Sequence, residues 1–232
     1  MKNLALLLLL FIASCTPCDV GTLSNSPPIV KAASFFADAS VISRESSVKV
    51  LVLTDRHSVG HGSGAYVVYK GKYYILTAYH VIYDMVSGMA IDGGSSYFLE
   101  RGIIHKESDI ALLEVEEIKD KKALRLKLPA QDKPKIGSEV VYTGYPNLTG
   151  PLTVEGVVAG YADDGAIILQ SYAWGGASGS AVLNKRGEII GILSGIEIGK
   201  DFRGVTVQNE SIVIINPLPA DFLEAINDAY HN

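Results

Sequence analysis

From residue 48 onward the apolar positions recur at short, strand-like intervals and not at helical ones. Val48-Lys49-Val50-Leu51-Val52-Leu53 and Ala65–Tyr69 are rich in β-branched and aromatic residues, the types that pack well on a pleated surface. Lys70-Gly71-Lys72 marks a turn into Tyr73–Thr77. Ile110–Val115 reads as a buried strand, and Leu124, Leu126 and Leu128 alternate with polar partners. A second set comprises Glu139–Thr143, Leu152–Ala159, Ala166–Ser171 after an Asp164-Gly165 turn, Ala181–Asn184, Ile189–Leu193 and Ser211–Ile215. Short strands punctuated by turns every 8–12 residues or so predict an all-β sandwich or barrel. Only the end predicts a helix: Pro219 suits a first turn, and Phe222, Leu223, Ile226 and Tyr230 share one helical face.

The N-terminal segment follows a different pattern. Lys2 precedes an apolar run from Leu4 to Ala13, too short to span a bilayer and ending in the small residues of a cleavage site. Ile12-Ala13-Ser14-Cys15 resembles a bacterial lipobox, which implies a signal peptide over 1–14 and lipidation of Cys15. Residues 15–47, rich in Ser, Ala and Pro, then read as a tether. The remainder of the chain divides into 48–130 and 131–232.

Composition narrows the possibilities. The chain has 232 residues, 48% of them hydrophobic, enough for one large domain or two small packed ones. A net charge of −5 without a Lys/Arg cluster along the sequence gives no nucleic-acid footprint. The two cysteines, Cys15 and Cys18, lack the second pair that a zinc site needs. The rest of the chain contains no cysteine, so its stability rests on its core and not on disulfides. His57 and His61 could face one metal only from a helix, which Ser58-Val59-Gly60 disfavours; they read as loop residues, and no metal or cofactor is expected.

Three segments carry candidate chemistry: Thr77-Ala78-Tyr79-His80, Ser108-Asp109-Ile110-Ala111-Leu112-Leu113 and Gly175-Gly176-Ala177-Ser178-Gly179-Ser180. A serine hydroxyl is a weak nucleophile at neutral pH, so an imidazole must take its proton and a carboxylate must hold that imidazole in one tautomer. Ser178, His80 and Asp109 fill those roles. Asp84 competes with Asp109, but the apolar run after Asp109 implies burial, and a buried carboxylate needs a partner. Glycines around Ser178 allow backbone N–H groups to converge on an oxyanion. An α/β-hydrolase would run Ser, Asp, His; here the sole histidine after Ser178 is His231, next to the chain end.

These segments, with Gly62-Ser63-Gly64-Ala65-Tyr66-Val67-Val68 and Gly187-Glu188-Ile189-Ile190-Gly191-Ile192, resemble the trypsin-like serine peptidases, most nearly their bacterial, disulfide-free branch. The resemblance covers roughly residues 45 to 216. It implies two packed six-stranded antiparallel β-barrels with a C-terminal helix on the second, and a cleft between the barrels. His80 and Asp109 would come from the first barrel and Ser178 from the second. The N–H groups of Gly176 and Ser178 would form the oxyanion hole. It also implies a serine endopeptidase acting on polypeptides, with an esterase or a non-catalytic binding module as alternatives. Ala177 stands where activated members carry an aspartate, Tyr79 replaces a small residue, and Ser180 replaces a glycine; none of these removes a catalytic group. Aligned back from Ser178, the specificity pocket would involve Tyr172, Ala173, Leu193, Ser194, Gly195 and Ile196. Without an acid at its floor it favours small or medium apolar side chains, unless Asp201 reaches in. With the lipobox, the implied location is a bacterial membrane, with a lipid anchor at its periplasmic face or at the cell surface.

Overall fold

The computed structural model of the chain describes residues 35–100, 102–127, 133–200 and 203–229. Cys15, Cys18, most of the tether, Leu128, Asp201 and Tyr230 lie outside them.

Among the described residues fourteen strands form two sheets. The first contains β1 (Ser47–Thr54), β2 (Val59–Tyr69), β3 (Lys72–Ala78), β4 (Met85–Asp92), β5 (Ser95–Phe98), β6 (Gly102–His105), β7 (Ile110–Glu114) and β8 (Leu124–Arg125). Its order is β5-β4-β1-β2-β3-β7-β6, with β8 parallel to β2. The second contains β9 (Glu139–Gly144), β10 (Leu152–Tyr161), β11 (Ile167–Gln170), β12 (Ala181–Asn184), β13 (Ile189–Lys200) and β14 (Thr206–Asn216). It closes as a barrel, β10-β11-β14-β13-β12-β9. The double-sheet, all-β architecture agrees with the sequence reading. The six-strand count holds for the second sheet, whereas the first has eight strands. The extra strands come from 85–105, where exposed Val86, Phe98 and Ile104 blur the alternation that marks a half-buried strand.

Local chemistry explains the strand turns. Lys70 (φ 46°) and Gly71 (φ 80°) form a two-residue link between paired Tyr69 and Lys72. Positive φ at both positions is the type I′ geometry, whose twist matches antiparallel strands. β2 and β3 then bury Tyr66, Val67, Tyr74, Ile75 and Leu76.

Both helices depart from expectation. Helix α1 (Phe35–Ser46) occupies most of the part of the tether that the structure describes. Its Ala39 is fully buried, Ser43 Oγ donates to Thr143 Oγ1 of β9 (2.9 Å), and Arg44 donates to the Pro151 carbonyl (2.8 Å). Serine and alanine look like tether composition, but small residues also let a helix lie close to a barrel wall. Helix α2 (Ala220–Ala229) follows Pro219 as predicted, yet it packs on the first sheet and not on the second barrel. The Phe222 ring meets His105 of β6 edge-on at 6.4 Å, and Phe222 and Ile226 are fully buried in the first sheet's core. Burying two such side chains contributes about 3–6 kcal/mol, enough to pin the chain end across the molecule.

Candidate active site

The β3–β7 register places the first two candidates side by side. Thr77 pairs with Ala111 and Ala78 with Ile110, so the residues just beyond each strand end meet. The Tyr79 N–H donates to the Asp109 carbonyl (3.0 Å), and the His80 N–H donates to Asp109 Oδ1 (2.8 Å). Asp109 holds φ +52°, a left-handed conformation that aspartate tolerates better than most residues. Its Oδ2 lies 2.7 Å from His80 Nδ1. A carboxylate at that distance accepts a hydrogen bond from Nδ1–H, which fixes the ring proton there and leaves Nε2 as the acceptor. Burial alone would raise the Asp109 carboxyl, but hydrogen bonds from the His80 ring, the Ser194 hydroxyl and the His80 N–H outweigh it and hold it below its ordinary value. Asp84, the alternative acid, sits before β4, where its carbonyl accepts the Asp55 N–H (3.0 Å).

Ser178 lies in the loop before β12 and is held by backbone bonds on both sides. Its carbonyl accepts the Ser63 N–H (2.8 Å), and the Gly179 N–H donates to the Leu193 carbonyl (2.7 Å). The Ser178 hydroxyl donates to the Ser194 carbonyl (3.3 Å); among the described residues no hydrogen bond joins it to His80. Ser194 also donates its own hydroxyl to Asp109 Oδ2 (2.5 Å). Ser194 therefore connects the acid from the first sheet to the serine of the second barrel. A β-bulge makes this possible. The β13–β14 register shifts between Leu193 and Gly195, so Ser194 has no cross-strand partner and its polar groups are free to turn toward the site.

The turn ahead of Ser178 is specified by glycine. The Ala177 N–H donates to the Trp174 carbonyl (2.9 Å), and Gly176 has φ +95° at the third position. That is a type II turn, which disfavours any side chain there. A Cβ on Gly176 would also fall 2.6 Å from His61 Nε2 and 2.8 Å from the Tyr145 carbonyl. The Gly175 carbonyl accepts the Asn147 N–H (2.8 Å). In a trans peptide the N–H opposes the carbonyl, so the Gly176 N–H faces away from Asn147. Among the described residues, neither the Gly176 nor the Ser178 N–H donates to a protein acceptor.

Ser63, read from the sequence only as part of a resembling segment, is the buttress of this loop. It is fully buried; its hydroxyl donates to the Gly176 carbonyl (2.7 Å) and accepts the Tyr145 N–H (2.8 Å). Its carbonyl accepts from Thr77 Oγ1 (2.7 Å). A Cβ on Gly179 (φ +91°) would lie 2.1 Å from that carbonyl oxygen, so the chains can meet only at glycine. His61 is not in a loop: it belongs to β2, and its buried Nε2 lies against Gly176 without a hydrogen-bond partner.

The expected pocket residues divide. Tyr172 is 58% exposed and stacks on Trp174 (6.2 Å between centroids, 15° between planes), forming a surface wall and not a floor. Ala173 is buried, and its N–H donates to the Glu210 carbonyl (3.0 Å). Leu193 does not line the cleft: at 1% exposure it packs in the second barrel's core, because strand alternation turns it inward when Ser194 faces out. Gly195 and Ile196 follow on β13, with Ile196 packed partly against the same core. A second register shift, between Ile196 and Glu197, releases Glu210–Ile212 from β13 to bond with Ser171 and Ala173. This brings an acidic residue, Glu210, beside the pocket wall. Its distance of more than thirty positions from Tyr172 hid it from sequence reasoning.

Comparison with known proteins agrees with this fold. The sequence profile of the trypsin-like peptidase domain matches residues 62–192. No curated protein sequence matches the chain. Among solved structures, the Rv3671c protease of M. tuberculosis in its active form superposes with a TM-score of 0.63 at 16% identity, covering 82% of this chain and 83% of that one. The HtrA-type protease AlgW with a tripeptide gives 0.67 at 19% identity, covering 83% of this chain and 62% of that one. A serine endoprotease from Yersinia pestis gives 0.62 at 20% identity, over 84% and 64%. These identities speak for the fold, and the profile, which spans more than half of the chain, speaks for the family. The chain belongs to the trypsin-like peptidase family.

Proposed function

We propose that the protein is a serine endopeptidase that works through an acyl-enzyme, with Ser178 as nucleophile, His80 as general base and then acid, and Asp109 as its orienting carboxylate. The observation that carries this reading is the linked set itself: His80 held at Nδ1 by Asp109, Ser194 joining Asp109 to Ser178, and two unpartnered N–H groups beside the serine. In the reaction the Ser178 hydroxyl leaves the Ser194 carbonyl and gives its proton to His80 Nε2 as Oγ attacks the scissile carbonyl. The Gly176 and Ser178 N–H groups take up the negative charge on oxygen. His80 then protonates the departing amine, and the acyl group remains on Ser178. Water, deprotonated by the same imidazole, releases the carboxylic acid and restores the hydroxyl. With Ala177 beside the serine, no new N-terminus is needed to pair there.

A fluorophosphonate probe followed by matched peptide and ester substrates tests this. The wild-type chain is expected to be labelled and to cleave peptides. Absence of labelling would favour the binding-module reading, and ester turnover without peptide cleavage would favour the esterase. In a peptide-library digest the expected cleavage follows small or medium apolar residues. A strong Lys or Arg preference would overturn that and point to an acidic residue at the pocket, Asp201 or Glu210.

The lipobox carries the location. Lipidation of Cys15 would hold the enzyme on a bacterial membrane, at its periplasmic face or at the cell surface, through its acyl chains. The protein is expected to partition into detergent, and Cys15→Ser to release it to the aqueous phase. An unmodified mature chain beginning elsewhere would refute the anchor.

A further inference from the structure

We propose that the outer face of the first sheet binds apolar side chains of the substrate polypeptide beyond the scissile bond, on the side of the departing amine. The proposal rests on the peptidase reading of Ser178. Strand register defines the face. Val48, Val50 and Val52 of β1 are buried in the first sheet's core, so Leu51 and Leu53 point outward. Leu53 pairs with Val59 on one side and Ser87 on the other, Leu51 pairs with His61 and Met89, and Met89 pairs with Phe98. Directly paired residues share a face. Leu51, Leu53, Val59, Met89 and Phe98 therefore make one apolar surface across β2, β1, β4 and β5. A sheet face open to water normally carries polar residues at such positions. Instead Leu53 is 41% exposed, Val59 72% and Phe98 70%, with Leu51 and Met89 half-buried beside them.

This shelf is continuous with the serine loop. On β2 the outward positions run Val59, His61, Ser63. Ser63 is fully buried because the second barrel covers it, its hydroxyl donating to the Gly176 carbonyl (2.7 Å). His61 comes next, with Nε2 buried against Gly176. Val59, two positions further, is open, so the shelf begins where that cover stops. Its position selects one side of the substrate. Ser178 is held between β2 and β13: its carbonyl accepts the Ser63 N–H (2.8 Å), and the Gly179 N–H donates to the Leu193 carbonyl (2.7 Å). The β13 side carries Ser194, Gly195 and Ile196, the walls for the acyl part. The amine part leaves on the β2 side, past His61 and onto the shelf.

Size and chemistry fit an extended peptide. Three strand spacings separate β2 from β5, about 14 Å, the reach of roughly four extended residues. The five apolar residues and Ser87 between them carry no charge, so the face offers a peptide apolar contact and no ion pair. Contiguous exposed apolar surface of this kind marks a contact site. A polypeptide already held at Ser178 meets the shelf as an intramolecular event, at high effective concentration. Contacts too weak to recruit a free partner are then enough to favour one substrate over another.

The test uses two internally quenched peptides with the acyl-side sequence selected in the library digest and an alanine after the scissile bond. One continues Leu-Val-Leu and the other Ser-Gly-Ser. The wild-type chain is expected to prefer the apolar tail by on the order of tenfold in kcat/KM, and the double variant Leu53→Ser, Phe98→Ser by less than about twofold. The ratio of the two tails cancels any general loss of active enzyme. Equal rates on both tails in wild type, or a full preference in the double variant, would overturn the proposal. A dimer in size-exclusion chromatography that the double variant loses, while keeping its preference, would assign the face to a second copy instead. Binding of the free tails Ala-Leu-Val-Leu and Ala-Ser-Gly-Ser to the Ser178→Ala chain, read by fluorescence polarisation, separates this proposal from the peptidase reading. If wild type cleaves neither peptide, tighter binding of the apolar tail keeps the shelf as a peptide site, and equal binding removes it.

Discussion

Ser178→Ala is expected to lower turnover by on the order of 10⁴-fold or more, to abolish fluorophosphonate labelling, and to leave the fold intact. The loss is large because the hydroxyl oxygen is the atom that forms the acyl bond, and no neighbouring group can replace it. The fold should survive because the hydroxyl makes one bond, to the Ser194 carbonyl at 3.3 Å, and the position of Ser178 is set by its backbone. Losing that bond costs about 1 kcal/mol. Substrate affinity should change little, since the Gly176 and Ser178 N–H groups and the cleft walls remain. Ordinary hydrolysis by the alanine variant, after purification away from contaminating peptidases, would sink the nucleophile assignment.

Asp109→Asn is expected to reduce turnover by about 10⁴-fold, the size typical of this substitution in Ser-His-Asp triads. An amide is nearly isosteric with the carboxylate, so the protein should fold. Its NH₂ group, however, can donate to His80 Nδ1, forcing the ring proton onto Nε2, where the serine needs an acceptor. The same residue sets a pH signature. The folded carboxyl is held below its ordinary value by the His80 ring, the Ser194 hydroxyl and the His80 N–H, despite the opposing effect of burial. A depressed folded value means that ionised Asp109 contributes stability above the ordinary carboxylate range, and that this is lost as pH falls through the folded value. Denaturant midpoints measured across the acid range should therefore fall less steeply for Asp109→Asn than for wild type. Parallel slopes would show that Asp109 is not held in that way.

Much of the framework was legible because strand-forming runs and turn residues act locally. Lys70-Gly71, Asp164-Gly165 and Pro219 each mark a boundary that depends only on neighbouring dihedral angles. The expected acid and base also meet through a local consequence: two adjacent antiparallel strands ending in Ala78 and Ile110 bring His80 and Asp109 together. Exposed apolar residues obscured the strands from 85 to 105, and small residues mistaken for tether became helix α1. Pairing with neighbouring strands decided the first case and burial against β9 the second, and alternation along the chain carries no record of either.

By itself the sequence determined an all-β chain, the order of the three candidate groups and the glycines without which the serine loop could not form. The tertiary structure alone decided how those groups are joined. Ser194 reaches Asp109 and Ser178 because a bulge turns it out of the ladder while Leu193 turns into the core. Ser63 supports the turn ahead of Ser178 from a strand more than a hundred positions away, and a second register shift brings the Glu210 carbonyl to the Ala173 N–H. α2 crosses to the first sheet. The physical reason is common to all of these. Periodicity and propensity act over a few residues, whereas register, closure and packing across sheets join residues whose separation along the chain says nothing about their distance in space.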